Sequence, residues 1–134
     1  MNVTYVDTNV LVYAFGDPSH PRRKGARSAL EQAADEGPLI TSTLTIDEFL
    51  WARRRESCER TAIEDTRILL RMPVLQLLAV EPAYAHKAID HIETLGLHPR
   101  DAFHLAIMDA KGSKRLLSDD PDFDRIPGVE RIVP

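Results

Sequence analysis

Short apolar segments alternate with helical segments along the whole chain, and this alternation most limits the folds open to it. The helical segments are bounded by Pro, Gly or capping residues, as helices usually are. Strands separated by helices are typical of a parallel sheet with helices on both faces. We therefore predict an α/β fold, a three-layer α/β/α sandwich with a mostly parallel five-stranded sheet in the order 3-2-1-4-5. The predicted strands are residues 3–6, 39–41, 74–80, 116–117 and 131–133, and the predicted helices are residues 8–15, 20–36, 43–55, 59–70, 82–95 and 99–111.

The composition limits the number of domains and the kind of partner. A chain of 134 residues with 43% hydrophobic residues suits one domain over 1–134. The 17 basic and 21 acidic residues give a net charge of -4, so RNA binding would need a local basic patch. The single cysteine, Cys58, excludes an intramolecular disulfide and a Cys-rich zinc site and suits the reducing cytoplasm. We expect neither a signal peptide nor a membrane span.

Acidic residues follow the predicted strands at the points where ligands bind parallel sheets. Asp7 comes directly after the first strand, and Asp119 and Asp120 come directly after the fourth. Glu48 and Asp101 lie on the helices that follow the second and third strands. Ligands bind outside the carboxyl ends of such strands, where the strand order reverses. With the order 3-2-1-4-5, the first and fourth strands are neighbours, and these acids converge.

Each acid also has a purely structural interpretation. Asp7 fits the N-cap of the following helix. Asp101 lies in a first helical turn, where the helix dipole favours a negative charge. The segment SDDPDFD is rich in turn formers. Single acids are often structural, but four that meet in one crevice indicate a site.

A cluster of carboxylates stays ionised in a crevice only if a cation compensates it. Oxygen ligands without cysteines or paired histidines favour Mg2+ or Mn2+ over Zn2+. A hard divalent ion held by carboxylates suits metal-assisted cleavage of phosphodiesters.

Four motifs contain these acids, in this order along the chain. VDTNVLVYA contains Asp7, and TSTLTIDEFLWA contains Glu48, which fits the acidic position better than its neighbour Asp47. HPRDAFHLAIM contains Asp101, and LLSDDPDF contains Asp120. A shift of one residue in the last motif would exchange Asp120 with Asp119. The four motifs resemble those of PIN-domain ribonucleases, and the size and layout resemble a VapC-type toxin of a VapBC toxin-antitoxin pair.

The resemblance implies a Mg2+ or Mn2+ site, endonucleolytic cleavage of RNA, a homodimer and a small cognate antitoxin. We expect Asp7 and Asp101 to hold the principal metal ion, with Glu48 and Asp120 ordering its waters or a second ion. Supporting residues would orient these acids by hydrogen bonding. For Asn9 and Ser118, hydrogen bonds within a local turn or cap are an equal alternative. The supporting residues are Asn9, Ser118, Asp119 and Asp122.

Other residues have both a surface or core interpretation and a functional one. Arg53, Arg54 and Arg55 follow Glu48 and would position RNA phosphates, or simply form a solvated helix face. His104 lies one turn after Asp101 and could line the site, but it has no partner at helical spacing, which favours a packing or surface role. The aromatic residues Trp51 and Tyr84 fit a core or a dimer face better than base stacking.

Two other functions are compatible with a chain of this class. A phosphorylation receiver domain needs an acidic pair after strand one, an Asp that ends strand three and a Lys that ends strand five. The sequence has none of these at the predicted strand ends. The second alternative is a catalytically silent PIN-fold module that binds RNA or protein. Loss of an acid would indicate such a module, and all four acids are present.

Overall fold

Five parallel strands form the centre of the molecule, which a computed structural model describes over residues 2–134. Their order is β3-β2-β1-β4-β5, which confirms the predicted order. Every neighbouring pair is parallel, so all carboxyl ends lie at one edge of the sheet. The strands are β1 (Thr4–Val6), β2 (Leu39–Ser42), β3 (Leu75–Leu78), β4 (Arg115–Leu117) and β5 (Glu130–Ile132).

Six α-helices connect the strands, with a short 3-10 helix at Pro121–Arg125 after β4. They are α1 (Thr8–Phe15), α2 (Arg23–Glu36), α3 (Thr43–Glu56), α4 (Glu59–Leu70), α5 (Pro82–Leu95) and α6 (Pro99–Ala110). The second helix begins later than predicted because a turn precedes it, in which the Arg23 N–H donates to the His20 carbonyl at 3.1 Å. The third strand is shorter than predicted because its pairing with β2 ends where Ser42 pairs with Leu78.

The two faces of the sheet are buried in separate cores because successive strand side chains point to opposite sides. Val6, Leu39 and Leu117 pack with apolar residues of α1, α2, α3 and α4. Their sequence neighbours Tyr5, Ile40 and Leu116 pack with α5, α6 and Phe123. Burial on both faces explains the consecutive apolar pairs Tyr5–Val6, Leu39–Ile40 and Leu116–Leu117 in the three central strands. The three-layer sandwich is therefore confirmed.

The strand order reverses beside β1. The chain passes from β1 to β2 and β3 on one side and then returns to β4 on the other side. Loops that leave the carboxyl ends of β1 and β4 therefore start side by side, and the crevice between them is the expected ligand site of such a sheet. None of the helices in residues 2–134 combines the length and apolar character needed to cross a membrane.

Candidate active site

Five acidic side chains line one cleft of about 700 Å³ at the carboxyl edge of the sheet: Glu56 and the four predicted acids. Asp7 follows β1, Glu48 lies on α3, Asp101 lies on α6 and Asp120 follows β4. These four acids were predicted from the strand ends and motifs, and the structure brings them to the same cleft. The folding of the sheet is responsible, because the four acids come from well-separated parts of the chain.

Asp7 is held by three neighbours and is almost completely buried, with 7% of its surface exposed. One carboxylate oxygen accepts a hydrogen bond from the Thr8 N–H at 2.7 Å and so caps α1. The other oxygen accepts from the Ser118 hydroxyl at 2.7 Å and from the Asn9 amide at 3.4 Å. Asp7 is therefore both a helix cap and a wall of the cleft. Burial raises the pKa of this carboxyl above its usual 3.8.

The loop after β4 orients Asp120 through Ser118. The Ser118 hydroxyl that donates to Asp7 also accepts from the Asp120 N–H at 3.0 Å. The Asp120 carboxylate in turn accepts from the Asp122 N–H at 2.9 Å and begins the 3-10 helix. Asp122 therefore contributes its backbone, while its side chain is exposed and does not line the cleft.

Asp119 points away from the cleft into a separate ion pair. Its two carboxylate oxygens accept from the Arg22 guanidinium at 2.8 and 3.0 Å, and one of them also accepts from the Tyr13 hydroxyl at 2.8 Å. The hydrogen bond from Tyr13, together with Arg22, holds the pKa of Asp119 below its usual value. The Asp119 N–H donates to the Asn9 side chain at 3.1 Å. Asp119 thus ties the loop after β4 to α1 and to the start of α2.

The two neighbouring acids predict opposite mutant effects. We expect Asp120→Asn to lower RNA cleavage at least about tenfold with little change in stability, because it removes a charge from the cleft. We expect Asp119→Asn to lower the free energy of unfolding by about 1 kcal/mol, since its ion pair is partly exposed, with a smaller loss of cleavage. Urea denaturation and single-turnover cleavage of both variants would test this. The reverse pattern would assign the site to Asp119.

His104 connects the acids to the core. It is 1% exposed, and its Nε2 lies 2.7 Å from the Glu48 carboxylate and 3.9 Å from Asp7. Its Nδ1 lies 2.6 Å from the Tyr5 hydroxyl, which donates to Ser42 at 3.1 Å. Burial opposes the charged ring, but the Glu48 hydrogen bond and the surrounding negative charges raise the pKa of His104 to about 10. The predicted packing role was right about burial, but the contact with Glu48 was missed.

The charge balance of the cleft is unfavourable for Asp101. Desolvation and the negative charges of Asp7 and Asp120 raise the pKa of Asp101 to about 6. His104 acts in the opposite direction, but it does not compensate all the acids. A carboxyl group with this pKa, placed among like charges, is one that a bound cation would stabilise in the ionised form.

The carboxylate oxygens of the cleft are donors of the type that a hard divalent cation prefers, although they do not form a complete set of metal ligands. Within residues 2–134, no three Asp, Glu, His or Cys side chains are already arranged as a metal site. Mg2+ is commonly held by only one or two carboxylates, with waters and substrate phosphate oxygens completing its shell. Asp7 and Asp101 supply oxygen donors of this type at the cleft.

The three consecutive arginines have three different environments. Arg53 is 3% exposed and pairs with Glu56 at 2.9 Å and Asp65 at 3.0 Å, so its predicted role in positioning RNA is wrong. It lies four residues after the buried Phe49 and therefore on the buried face of α3. Arg54 is exposed near Glu59, outside the cleft, whereas Arg55 lines it.

Seven residues that line the cleft were not predicted as site residues: Thr8, Val12, Tyr13, Trp51, Ala52, Glu56 and Arg100. Arg100, directly before Asp101, lines the cleft with its Nη1 4.0 Å from the Glu48 carboxylate. Its position within the third motif, HPRDAFHLAIM, was the available signal. Trp51 was predicted to fit a core or dimer face, but it is 56% exposed and also lines the cleft, so its core role is wrong. Tyr84 does pack against the core beneath α5 and α6.

A family model and two curated relatives match most of the chain. Residues 4–129 match the PIN domain family. The ribonuclease VapC13 of Mycobacterium tuberculosis is 32% identical over 133 residues, which cover 96% of this chain and 98% of the relative. Ribonuclease VapC23 of the same species is 34% identical over 114 residues, 84% of this chain and 88% of the relative.

Solved structures share the fold over nearly the whole chain. VapC20 of M. tuberculosis, described as a sarcin-ricin loop cleaving toxin, superposes with a TM-score of 0.76 at 22% identity, over 90% of this chain and 92% of that one. VapBC2 of Rickettsia felis, bound to a DNA fragment from its promoter, superposes with a TM-score of 0.74 at 19% identity, over 98% of both chains.

Proposed function

We propose that this chain is an endoribonuclease and the toxin of a VapBC pair. The premise is that it belongs to the PIN-domain family and to its VapC-type ribonucleases. The observation that carries the proposal is the meeting of Asp7, Glu48, Asp101 and Asp120 in one cleft. Repulsion among the acids that line the cleft is unfavourable unless a bound cation compensates their charge. A cation there would draw phosphate oxygens to the same place.

The four acids have distinct positions that suggest distinct roles. Asp7 and Asp101 would hold the principal Mg2+ or Mn2+ ion, which would lower the pKa of a bound water and stabilise charge on the phosphate. Glu48 and Asp120 would order waters, or share a second ion. The water oxygen would attack phosphorus in line and form a new P–O bond while the bond from phosphorus to an RNA oxygen breaks, and the displaced oxygen would take up a proton. Ser118 and Asn9 hold the Asp7 carboxylate in place by hydrogen bonds, and His104 does the same for Glu48.

RNA would be positioned by the cations at the rim of the cleft. Arg55 and Arg100 line the cleft itself, and Arg54 is exposed one residue away from Arg55. Guanidinium groups bind phosphate oxygens in a fixed planar geometry and so set the position of the backbone. Because the whole chain carries a net charge of -4, this local patch would supply most of the electrostatic attraction for RNA.

The proposal extends to partners, domain and location. The structural neighbours include several VapBC complexes, which supports a small antitoxin as partner of this chain. We also propose a homodimer, a single PIN domain over residues 1–134, and activity in the cytoplasm. Cys58 is exposed and free, which suits a reducing compartment. A catalytically silent module that only binds RNA or protein is the alternative, and retention of all four acids in the cleft disfavours it.

RNA cleavage with and without divalent ions tests the proposal. We expect the purified chain to cut single-stranded RNA in Mg2+ or Mn2+ and to be inactive in EDTA, because the acids lack a compensating cation there. A 5′-labelled RNA set resolved on a sequencing gel would show internal cuts. An Asp101→Asn preparation, purified identically, controls for contaminating nucleases. Equal cleavage by that variant, or none by the wild type with either ion, would contradict the proposal.

A further inference from the structure

Trp51 is an exposed aromatic side chain in the wall of the acidic cleft. It is the only tryptophan in the sequence, and 56% of its surface is exposed. The buried face of α3 consists of Thr45, Phe49 and Arg53, spaced four residues apart. Trp51 lies outside that row, so packing of α3 against the sheet does not explain an indole at this position.

Helical spacing places Trp51 beside the chemistry. Glu48, Trp51 and Arg55 follow each other at i, i+3 and i+7 and share one face of α3. All three line the cleft. Arg100 approaches the same wall from α6, with its side chain 59% exposed. Along this face of α3 the indole therefore lies between Glu48 and Arg55.

The surroundings of Trp51 favour a nucleobase as its ligand. A groove for an apolar peptide needs mainly apolar walls, but in this cleft two arginines and five acids outnumber the apolar or aromatic neighbours Val12, Tyr13 and Ala52. Single-stranded RNA combines phosphates, which the arginines would bind, with flat bases, which stack on aromatic side chains.

We propose that Trp51 stacks on an unpaired base next to the phosphate that is cut, and that this contact selects single-stranded RNA. The inference rests on the proposed ribonuclease function and deepens it by naming the form of the substrate. A base can lie flat on the indole only if it is unstacked from its neighbours, which the bases of a continuous duplex are not. Duplex RNA of the same sequence would therefore bind without this contact.

The single tryptophan allows a direct binding measurement. The Asp101→Asn variant in Mg2+ keeps Trp51 and is expected not to cut the RNA during the measurement. We expect its fluorescence to be quenched by a short single-stranded RNA. The matched ligand is the same strand with abasic sites, which keeps the phosphates and removes the bases. Much weaker quenching by the abasic strand supports stacking, and equal quenching by both strands overturns it.

Cleavage kinetics provide the second test. We expect Trp51→Ala to raise KM for single-stranded RNA by on the order of 5- to 100-fold, the effect typical of a lost stacking contact, and to change kcat much less. Trp51→Phe should recover most of the affinity, since it restores an aromatic face. Ile89→Ala is the matched control, because Ile89 is 61% exposed on α5 and does not line the cleft.

These experiments distinguish an error in the ribonuclease function from an error in the stacking role of Trp51. If the wild type does not cut RNA at all, the ribonuclease function itself is wrong. If it does cut RNA, but Trp51→Ala behaves like Ile89→Ala and the abasic strand quenches fully, only the stacking role is wrong. In that case the exposed indole would serve a protein contact instead of a nucleobase.

Discussion

Asp7→Asn is expected to lower RNA cleavage by more than about 100-fold while leaving the fold intact and more stable in the absence of metal. Loss of a residue that only orients a metal ligand typically costs about 10- to 100-fold, and Asp7 is proposed to be a ligand itself. Asn is nearly isosteric with Asp, so its oxygen can still accept the Thr8 N–H that caps α1.

The gain in stability follows from the direction of the Asp7 pKa. Burial raises this pKa above 3.8, so the folded state binds the proton more tightly than the unfolded state does. The favourable contribution of the protonated form is complete below pH 3.8 and is lost as pH rises through the folded pKa. At pH 7 the ionised Asp7 therefore destabilises the fold, and the neutral Asn removes that cost.

Thermal denaturation at two pH values would separate charge from packing. Without metal, we expect Asp7→Asn to have the higher Tm at pH 7, and the difference from wild type to shrink near pH 4. Mg2+ should raise the Tm of the wild type and have little effect on the variant, because binding only to the folded state stabilises it. The exposed Asp47, on the same helix as Glu48, gives the control Asp47→Asn, which should cleave RNA normally. Full activity in Asp7→Asn would contradict the assignment.

The topology and the positions of the acids could be predicted because they depend on simple periodic rules. Alternation of strands and helices implies a parallel sheet, and a parallel sheet has its ligand site at the carboxyl ends of the strands. Asp7 directly follows β1 and the pair Asp119 and Asp120 lies within three residues of the end of β4, so a coarse strand prediction was enough to place Asp7 and the pair at the sheet edge. The family motifs then supplied Glu48 and Asp101, which lie on helices.

The misassigned residues depend on partners that are distant in the sequence. Arg53 and Arg55 are the same residue type two positions apart, but Asp65 on α4 pairs with Arg53, whereas Arg55 lines the cleft. Asp119 could not be separated from Asp120 until Arg22, 97 residues away, was seen to pair with it. Side-chain direction within a loop is decided by such long-range contacts and not by local pattern.

His104→Leu is expected to destabilise the protein by about 3–5 kcal/mol at pH 7, the cost typical of removing one member of a buried ion pair. His104 is 1% exposed and bonds Glu48, which has only 14% of its side chain exposed. Leu fills a similar volume but leaves Glu48 and Asp7 facing each other without the imidazolium. Cleavage should also fall by about 10- to 100-fold because Glu48 loses the group that positions it.

The pH dependence distinguishes the charge of His104 from its packing. Its folded pKa is raised to about 10 from 6.5, so its stabilising contribution is complete below pH 6.5 and is lost as pH rises through about 10. The free energy of unfolding of the wild type should therefore fall between pH 7 and 10 more steeply than that of His104→Leu. Asp101, with its pKa of about 6, changes protonation below this window and does not disturb the comparison.

A matched variant isolates the ion pair from the rest of the network. Tyr5→Phe removes the hydroxyl that contacts the His104 Nδ1 and keeps the Glu48 contact. It also removes the hydrogen bond to Ser42 and leaves the buried Nδ1 without a partner, so it should cost about 2–3 kcal/mol, but with the pH dependence of the wild type. Urea denaturation of the wild type, His104→Leu and Tyr5→Phe from pH 7 to 10 would provide the three curves. If the free energy of unfolding has the same pH dependence in the wild type and in His104→Leu, His104 is neutral in the folded protein. Glu48 would then be held only by a hydrogen bond from a neutral imidazole.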